Sequence, residues 1–503
     1  MFLQALATLS AILLSYRVLA LIRNYLEARR LGLPIIVVPL CWQDTLWALF
    51  GGQFEIIERL PFGLGSWYKY SLLGWNVKDC AFTIVSPLRN EVVISDTTNI
   101  REVLGRYRRW EKPKELYGLF AALGPSVSSV SGEEWPRHRK VMNVAFQEKH
   151  MHLVWKSARK QAGQWLRQVQ GQERDLKELA EDCNNLSGNV LMYAAFGQDR
   201  EFGESRAEDV QENRIKSFYE TMQYMLRNMP ILWLMTKLRL PRTFEPKKFT
   251  EFRQAKETLL LHLEERLQTK DSDFLTSLVN ASDSEKLAGR GILTKTELYG
   301  NLFMIQVAGQ DTTSHAMQTA IALLAANPDI QEWARQEAST YEDFEKPVRL
   351  QAVMYETLRL YGGAPNMTRI SLNRERMTIN GKDIVIPANT FVSANLSAQS
   401  YDPALWIGAS EWRPQRWMES VDNVEAIKKD MPELMAWSTG PRNCPGKKFS
   451  QVEFTAAISK LLVECQIRGS PGLQEALNTF DNRATSRPST QEIASITFVR
   501  RQP

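Results

Sequence analysis

The apolar positions of this chain fall mostly at helical spacing. Apolar residues recurring at three- and four-residue intervals predict helices over 134–169, 174–197, 208–228, 248–270, 294–326, 328–341, 347–361 and 447–468. Strand-like stretches are short: "AFTIVSP" (81–87), "NEVVISD" (90–96) and "MTINGKDIVIPANTFVSANL" (377–396). In the last, Asn380-Gly381 marks a hairpin turn. The pattern predicts a mainly α fold with a small β-sheet region. No repeat, low-complexity tract or Pro/Ser-rich linker interrupts it after the first 45 residues, so residues 46–503 read as one continuous domain.

The amino terminus departs from this pattern. Residues 1–22 are apolar with Arg17 as their one charge, over the roughly 20 residues that a bilayer core requires. Arg23, Arg29 and Arg30 follow, which by the positive-inside rule keeps the rest of the chain in the cytosol. The run reads as an N-terminal transmembrane anchor. A cleaved signal peptide is the alternative, but the run lacks a preceding basic segment and a small-residue cleavage site. Residues 23–45, with Pro34 and Pro39 in "GLPIIVVPL", read as a hinge resting on the membrane or as the start of the fold.

Composition narrows the class further. The net charge is 62 − 57 = +5, too mild to announce nucleic acid, though a local basic patch can still meet an acidic partner. The five cysteines are dispersed, with no CxxC or CxxH pair, so neither a disulfide framework nor a zinc site is indicated. No GxGxxG follows a strand and no GxxxxGK[ST] occurs. Electrons from a nicotinamide would therefore have to come from another protein.

Four segments carry chemistry. Within 294–326, Thr294 and Glu297 form a capping box, and an apolar run through Phe303 and Val307 leads into "AGQDTTSH" (308–315). Polar groups inside a buried helix cost a few kcal/mol each unless partnered. Either the helix is kinked by Gly309 and the threonines with an exposed acid, or a bound molecule lies across it. In the second reading Ala308 and Gly309 leave room, while Asp311 and Thr312 pass protons. In "YETLRL" (355–360), Glu356 and Arg359 sit at i, i+3. Taken alone they are an ordinary surface pair worth under about 1 kcal/mol. Arg416 in "WRPQRW" (412–417) likewise reads as aromatic packing.

The fourth segment is "WSTGPRNCPG" (437–446), which holds Cys444 in a frame of Gly440, Pro441, Pro445 and Gly446. A helix begins just after it. Free N–H groups and the positive dipole end there favour a thiolate, and Arg442 adds positive charge. A nucleophile would want a base, and no histidine occurs after His315. A metal ligand is therefore the better reading of Cys444.

Together these segments, in this order, resemble the cytochrome P450 family of haem-thiolate monooxygenases. "WSTGPRNCPG" matches the family's FxxGxRxCxG, with Trp437 in place of Phe. "AGQDTT" matches [AG]Gx[DE]T[TS], "ETLR" matches ExxR, and "WPRHR" resembles WxxxR. The resemblance implies the cytochrome P450 fold and haem b, with Cys444 as axial thiolate. Asp311 and Thr312 would deliver protons, and Ala308 and Gly309 would flank dioxygen. Trp135, Arg139, Arg369 and Arg442 would hold the propionates, with Trp437 and Gly446 framing the cysteine. Glu356, Arg359 and Arg416 would form a buried structural ion network. Phe303, Val307, Ala364, Pro365 and Met367 would line the substrate pocket. Residues 222–235, rich in Met and Leu, read either as a mobile lid that admits apolar substrate or as a plain core helix.

The implied activity is insertion of one oxygen atom from O2 into an apolar small molecule. Fungal secondary metabolism is the setting, with hydroxylation, epoxidation or multistep oxidation as the reaction. Oxidative coupling, ring closure or desaturation is the alternative; a non-catalytic haem-binding protein is more remote. The implied electron donor is NADPH–cytochrome P450 reductase, with cytochrome b5 as a further candidate. Arg137, Lys140, Lys447 and Lys448 would supply a basic docking face. The implied location is the endoplasmic reticulum membrane, facing the cytosol.

Overall fold

The Thr294–Glu297 box does open the longest helix. Thr294 N donates to Glu297 Oε2 at 2.7 Å, and Glu297 N donates to Thr294 Oγ1 at 3.3 Å. The helix then runs Lys295–Ala326. A computed structural model describes residues 2–39, 41, 44, 80–203, 218–238, 240–266, 274–287, 293–339, 347–418, 434–478 and 494–501. The first part of the expected 208–228 helix, and parts of the expected hinge and of the 248–270 and 328–341 helices, lie outside the described residues.

The chain divides into two compact units. One comprises Met1–Leu116, Ala364–Ser410 and Trp437–Asn443; the other comprises Tyr117–Gly363, Glu411–Ala436 and Cys444–Pro503.

The first unit is built on strands. These are β1 (Ile35–Val37), β2 (Ala81–Val85), β3 (Asn90–Ile94), β4 (Trp110–Glu111), β5 (Asn366–Ser371), β6 (Glu375–Ile379), β7 (Lys382–Ile386) and β8 (Phe391–Asn395). Six of them form a mixed sheet in the order β1-β2-β3-β8-β5-β4, and β6-β7 form a hairpin. The hairpin turns at Asn380-Gly381, where both residues have positive φ (51° and 73°), as a two-residue hairpin loop demands. The near-continuous burial of β2, β3 and β8 marks this sheet as the unit's core.

Helix α1 (Phe2–Arg29) runs on past Ile22 and packs its last turns against this sheet. Asn24 Nδ2 donates to Ser86 O at 2.8 Å, and Arg17 pairs with Asp44 at 2.5 Å. Leu9, Ile12, Leu13, Leu14 and Leu19 on the same helix stay exposed. Helix α2 is Thr97–Gly105.

The second unit is mainly helical. Its helices are α3 (Glu134–Ala145), α4 (Met151–Val169), α5 (Leu176–Phe196), α6 (Phe218–Arg227), α7 (Met229–Leu238), α8 (Lys247–Arg266), α9 (Phe274–Leu287), α10 (Lys295–Ala326), α11 (Pro328–Ala338), α12 (Val348–Tyr361) and α13 (Lys447–Glu464). The core is made where α10 packs on α5 and α13 packs on α4.

Two expected helices are corrected. The run 134–169 divides because Gln147 is extended (φ −72°, ψ 156°), so α3 ends at Ala145 and α4 begins at Met151. The run 447–468 stops at Glu464 because Cys465–Gly469 pairs antiparallel with Ser495–Arg500. Alternating burial at Cys465 and Ile467 fits that strand, and the partner strand overrides the helical pattern.

Candidate functional site

The cysteine loop is held by backbone geometry. Gly440 has φ +74°, and a Cβ there would lie 2.7 Å from the Leu104 carbonyl oxygen. No other residue fits without moving backbone. Trp437 is half-buried at the end of a 3-10 turn, and Asn443 N closes onto Gly440 O at 3.1 Å. Gly446 then caps α13, whose first turn returns a hydrogen bond from Ser450 N to Gly446 O at 2.9 Å.

Cys444 is water-accessible on one side and desolvated on the others. Burial pushes its thiol up, opposed by the Gly446 N–H and by the charges of Arg139 and Lys447. Desolvation therefore wins over the helix terminus in the protein alone, whereas a coordinated metal ion deprotonates a thiol outright. The cations that act on the sulfur are Arg139 and Lys447, where sequence pointed to Arg442.

Helix α10 supplies a second open surface. Leu298–Gln306 and Thr313–Ala325 are buried, yet Ala308, Asp311 and Thr312 between them are exposed. Exposure confined to mid-helix in a core element means that the helix borders open space there. Burial raises the Asp311 carboxyl above its ordinary range, which suits a group that must both hold and release a proton. Thr312 Oγ1 donates to Ala308 O at 2.7 Å, leaving its oxygen able to accept.

The other expected lining residues are more varied. Gly363 lies against Thr312, its Cβ position 3.9 Å from the threonine side chain. The space at Gly309 faces Leu191 of α5 at 3.1 Å, so Gly309 serves helix packing and Ala308 supplies the opening. Val307 is half-buried, whereas Phe303 is fully enclosed in the core. Ala364 and Met367 are half-buried and Pro365 is buried at the start of β5.

Glu356 is the centre of a closed ion network. It accepts from Arg359 Nε and Nη2, Arg416 Nε and Trp417 Nε1, each at 2.9 Å, and from Arg413 N at 3.0 Å. Arg359 Nη2 and Arg416 Nη2 also reach Glu411 O, at 3.0 and 3.2 Å. All three charged groups are buried. The Trp417 contact gives a physical reason for the second aromatic of "WRPQRW".

In the first unit three cations gather. Arg369 and Arg442 are buried, and the guanidinium of Arg442 lies 5.6 Å from the Tyr107 ring centre. Burial, then Arg369, then Arg442 depress the Lys112 ammonium well below its ordinary value. Cations clustered in this way suit an anionic group, and a pair of carboxylates fits. Lys112 escaped the sequence reading because "WEKPKE" offers no motif. Trp135 is buried and Arg139 half-buried on α3, one helical turn apart.

Arg137 points elsewhere than a docking face. It forms a fork onto Glu297 at 2.9 and 2.6 Å, with His138 Nε2 3.2 Å from the same carboxylate and Nδ1 2.9 Å from the Asn301 amide. This cluster ties α3 to the start of α10. Lys448 lies 3.8 Å from Glu148, and Lys140 is exposed.

The Cytochrome P450 family model matches residues 80–492. The chain belongs to the cytochrome P450 family. Its relatives include a cytochrome P450 monooxygenase, ORF6, of Penicillium roqueforti (strain FM164), 26% identical over 88% of this chain and 87% of that one. The phomenoic acid biosynthesis cluster cytochrome P450 monooxygenase of Leptosphaeria maculans is 23% identical over 96% of this chain and 95% of that one. Among solved structures, retinoic acid-bound cyanobacterial CYP120A1 matches with TM-score 0.68 at 19% identity, covering 93% of this chain and 100% of that one. The expected fold class is thereby established.

As a cytochrome P450 monooxygenase, the protein uses haem with cysteine thiolate ligation of iron, dioxygen, a small-molecule substrate and a redox partner. The residues present in each unit fit that group. In the second unit a water-accessible sulfur carries two nearby cations and a core helix opens at Ala308, Asp311 and Thr312; in the first, half-buried Lys112 gathers with buried Arg369 and Arg442.

Proposed function

We propose that this cytochrome P450 inserts one oxygen atom from O2 into an apolar small molecule of fungal secondary metabolism, with Cys444 as the iron ligand. The observation that carries the reading is the opening of a buried helix at Ala308, Asp311 and Thr312. Such an opening suits a reaction that needs space, a proton store and a hydroxyl at one place. The place of the Leptosphaeria relative in a phomenoic acid biosynthesis cluster supports the metabolic setting.

Haem, when bound, supplies the oxidising chemistry at dioxygen. The chain's own residues bind, orient and move protons. Cys444 would hold the iron, its negative charge balanced by the Gly446 N–H, Arg139 and Lys447. Arg369, Arg442 and Lys112 of the first unit, and Trp135 and Arg139 of the second, would hold the propionates. Asp311 takes up a proton and passes it on at Thr312 Oγ1, while Ala308 keeps the neighbouring face free of side-chain bulk. Val307 offers the substrate apolar surface in the second unit, and Ala364 and Met367 do so in the first. Glu356, Arg359 and Arg416 hold the second unit together around one buried carboxylate.

The electron donor in this reading is NADPH–cytochrome P450 reductase, with cytochrome b5 as a second donor, meeting Lys140, Lys447 and Lys448. Helix α1 supports membrane attachment: Thr8–Arg29 is long and apolar enough to cross a bilayer, and its leucines are exposed. Attachment places the enzyme on the cytosolic face of the endoplasmic reticulum.

The test is spectroscopic. The reduced, carbon monoxide-bound holoenzyme should show the red-shifted Soret band of thiolate ligation, and Cys444→Ala should abolish it. A Cys444→Ala protein that keeps the band overturns the assignment.

A further inference from the structure

Gln310 stands in the middle of "AGQDTT" and points away from its open face. Ala308 and Thr312 each lie about 200° from it around the helix. Its amide enters a notch in α5 where Gly188 has no side chain; a Cβ there would lie 2.9 Å from Gln310 Nε2. Nε2 donates to Asn184 Oδ1 at 2.7 Å and to Gln223 Oε1 at 3.2 Å. Gln223 Nε2 returns a bond to Gln310 Oε1 at 3.0 Å, and Gln306 Nε2 donates to the same oxygen at 2.8 Å. Gln223, Gln306 and Gln310 are all buried. One amide cluster thus joins α5, α6 and α10 behind the turn that bears the proton-handling pair.

That turn is soft on its own. Thr312 Oγ1 bonds back to Ala308 O, and Ser314 Oγ to Asp311 O at 2.9 Å. Hydroxyls bonded back onto helix carbonyls loosen and bend a helix, and Gly309 adds to the effect. A soft turn keeps a fixed geometry when it is gripped from outside, and the amide cluster grips it at its back.

We propose that Gln310 and Gln223 are positioning residues. Their clamp fixes the turn carrying Asp311 and Thr312 and so sets how dioxygen is divided between water and peroxide. The inference rests on the proton-delivery role proposed for that pair. It makes α6 the second arm of the clamp, so a shift of α6 alters the proton supply at α10. The balance is simple. Two electrons from NADPH through the redox partner, with two protons, take O2 to hydrogen peroxide; four electrons and four protons take it to two waters. Monooxygenation uses two electrons and two protons, placing one oxygen atom in the substrate and one in water. Prompt protons at Thr312 favour the routes that yield water.

The experiment uses the full-length holoenzyme with reductase, NADPH and O2 and no added substrate, measuring peroxide released per NADPH consumed. Gln223→Leu should keep the reduced carbon monoxide band yet raise the peroxide fraction several-fold, toward that of Thr312→Ala. Gln223→Glu still accepts from Gln310 Nε2 and, protonated in so buried a site, donates to Oε1; it should stay near the parent. A merely structural role would lower melting temperature or haem content without moving this fraction. An unchanged fraction in Gln223→Leu, with Thr312→Ala raised, overturns the clamp and leaves the proton-delivery reading intact. An unchanged fraction in both Thr312→Ala and Asp311→Asn overturns that reading, and the clamp with it. Should Gln223→Leu fail to load haem, Asn184→Ala removes the other side-chain acceptor of Gln310 Nε2, leaving only the long bond to Asn184 O, and is judged by the same criterion.

Discussion

Replacing Glu356 with alanine should be the most damaging single change outside the cysteine loop. Five hydrogen bonds end on this one carboxylate, four of them at 2.9 Å. Truncation leaves the Arg359 and Arg416 guanidiniums buried without their counter-charge. Breaking one buried pair costs about 3–5 kcal/mol, and two cations lose the same partner here, so the upper end of that range is expected. That is a large share of the roughly 5–15 kcal/mol that holds a folded domain together. Glu356→Gln keeps one acceptor but turns its NH2 toward donors, so it should cost about 2–3 kcal/mol. The assay is urea unfolding of holoenzyme, with haem content read from the reduced carbon monoxide band. The control is Glu102→Ala, which breaks the exposed pair with Arg106 and should cost at most about 0.5 kcal/mol. A Glu356→Ala midpoint shift no larger than that of the control would refute the burial argument, whatever happened to activity.

Other expectations are narrower. Burial pushes the Glu297 carboxyl up, but the Arg137 fork and the Thr294 N–H and hydroxyl outweigh it and hold it at about 2 rather than 4.5. Its folded value is depressed, so about 3 kcal/mol of stability is present above pH 4.5 and lost as pH falls toward 2. Glu297→Gln should flatten that acid limb of melting temperature against pH, and an unchanged slope would count against the Arg137 fork. Glu453 of α13 is raised by burial, with the Ser187 hydroxyl opposing, to about 8. Its folded value lies above its unfolded one, so its cost to stability grows from about pH 4.5 and levels near 8. Glu453→Gln should therefore melt higher than the parent at pH 8 and equally at pH 4; equal melting at both would sink the buried-acid assignment. Lys112→Met should speed haem loss to excess apomyoglobin several-fold, and an unchanged rate would remove Lys112 from the cation group.

Elements with local signatures were legible in the sequence, and those made by distant partners were not. The Thr294 cap, the Asn380-Gly381 turn and β2-β3 follow from short patterns whose physics is local. Cys465–Gly469 could not be read, because its strand depends on Ser495–Arg500. Glu356 and Arg359 taken alone read as a surface pair; the resemblance implied the buried network with Arg416, and only the Trp417 contact came from the structure. Arg137 looked like a docking cation, although its fork to Glu297 spans 160 residues. Gln310 drew no attention for the same reason, since amide clusters have no spacing rule. Cys444 was legible because the glycines and prolines that aim it are its sequence neighbours.

The narrowness of the opening in α10 bears on how such an enzyme can change over generations. Three neighbouring positions face open space while the flanking turns are committed to packing. Drift in the rest of the helix is therefore policed by folding, independently of any substrate. New substrates must be acquired elsewhere in the chain, at positions that touch neither this turn nor the amide cluster behind it. A lineage can thus inherit its reaction as part of its fold and trade its substrates freely. Cytochrome P450 monooxygenases only about a quarter identical to this chain fit that division.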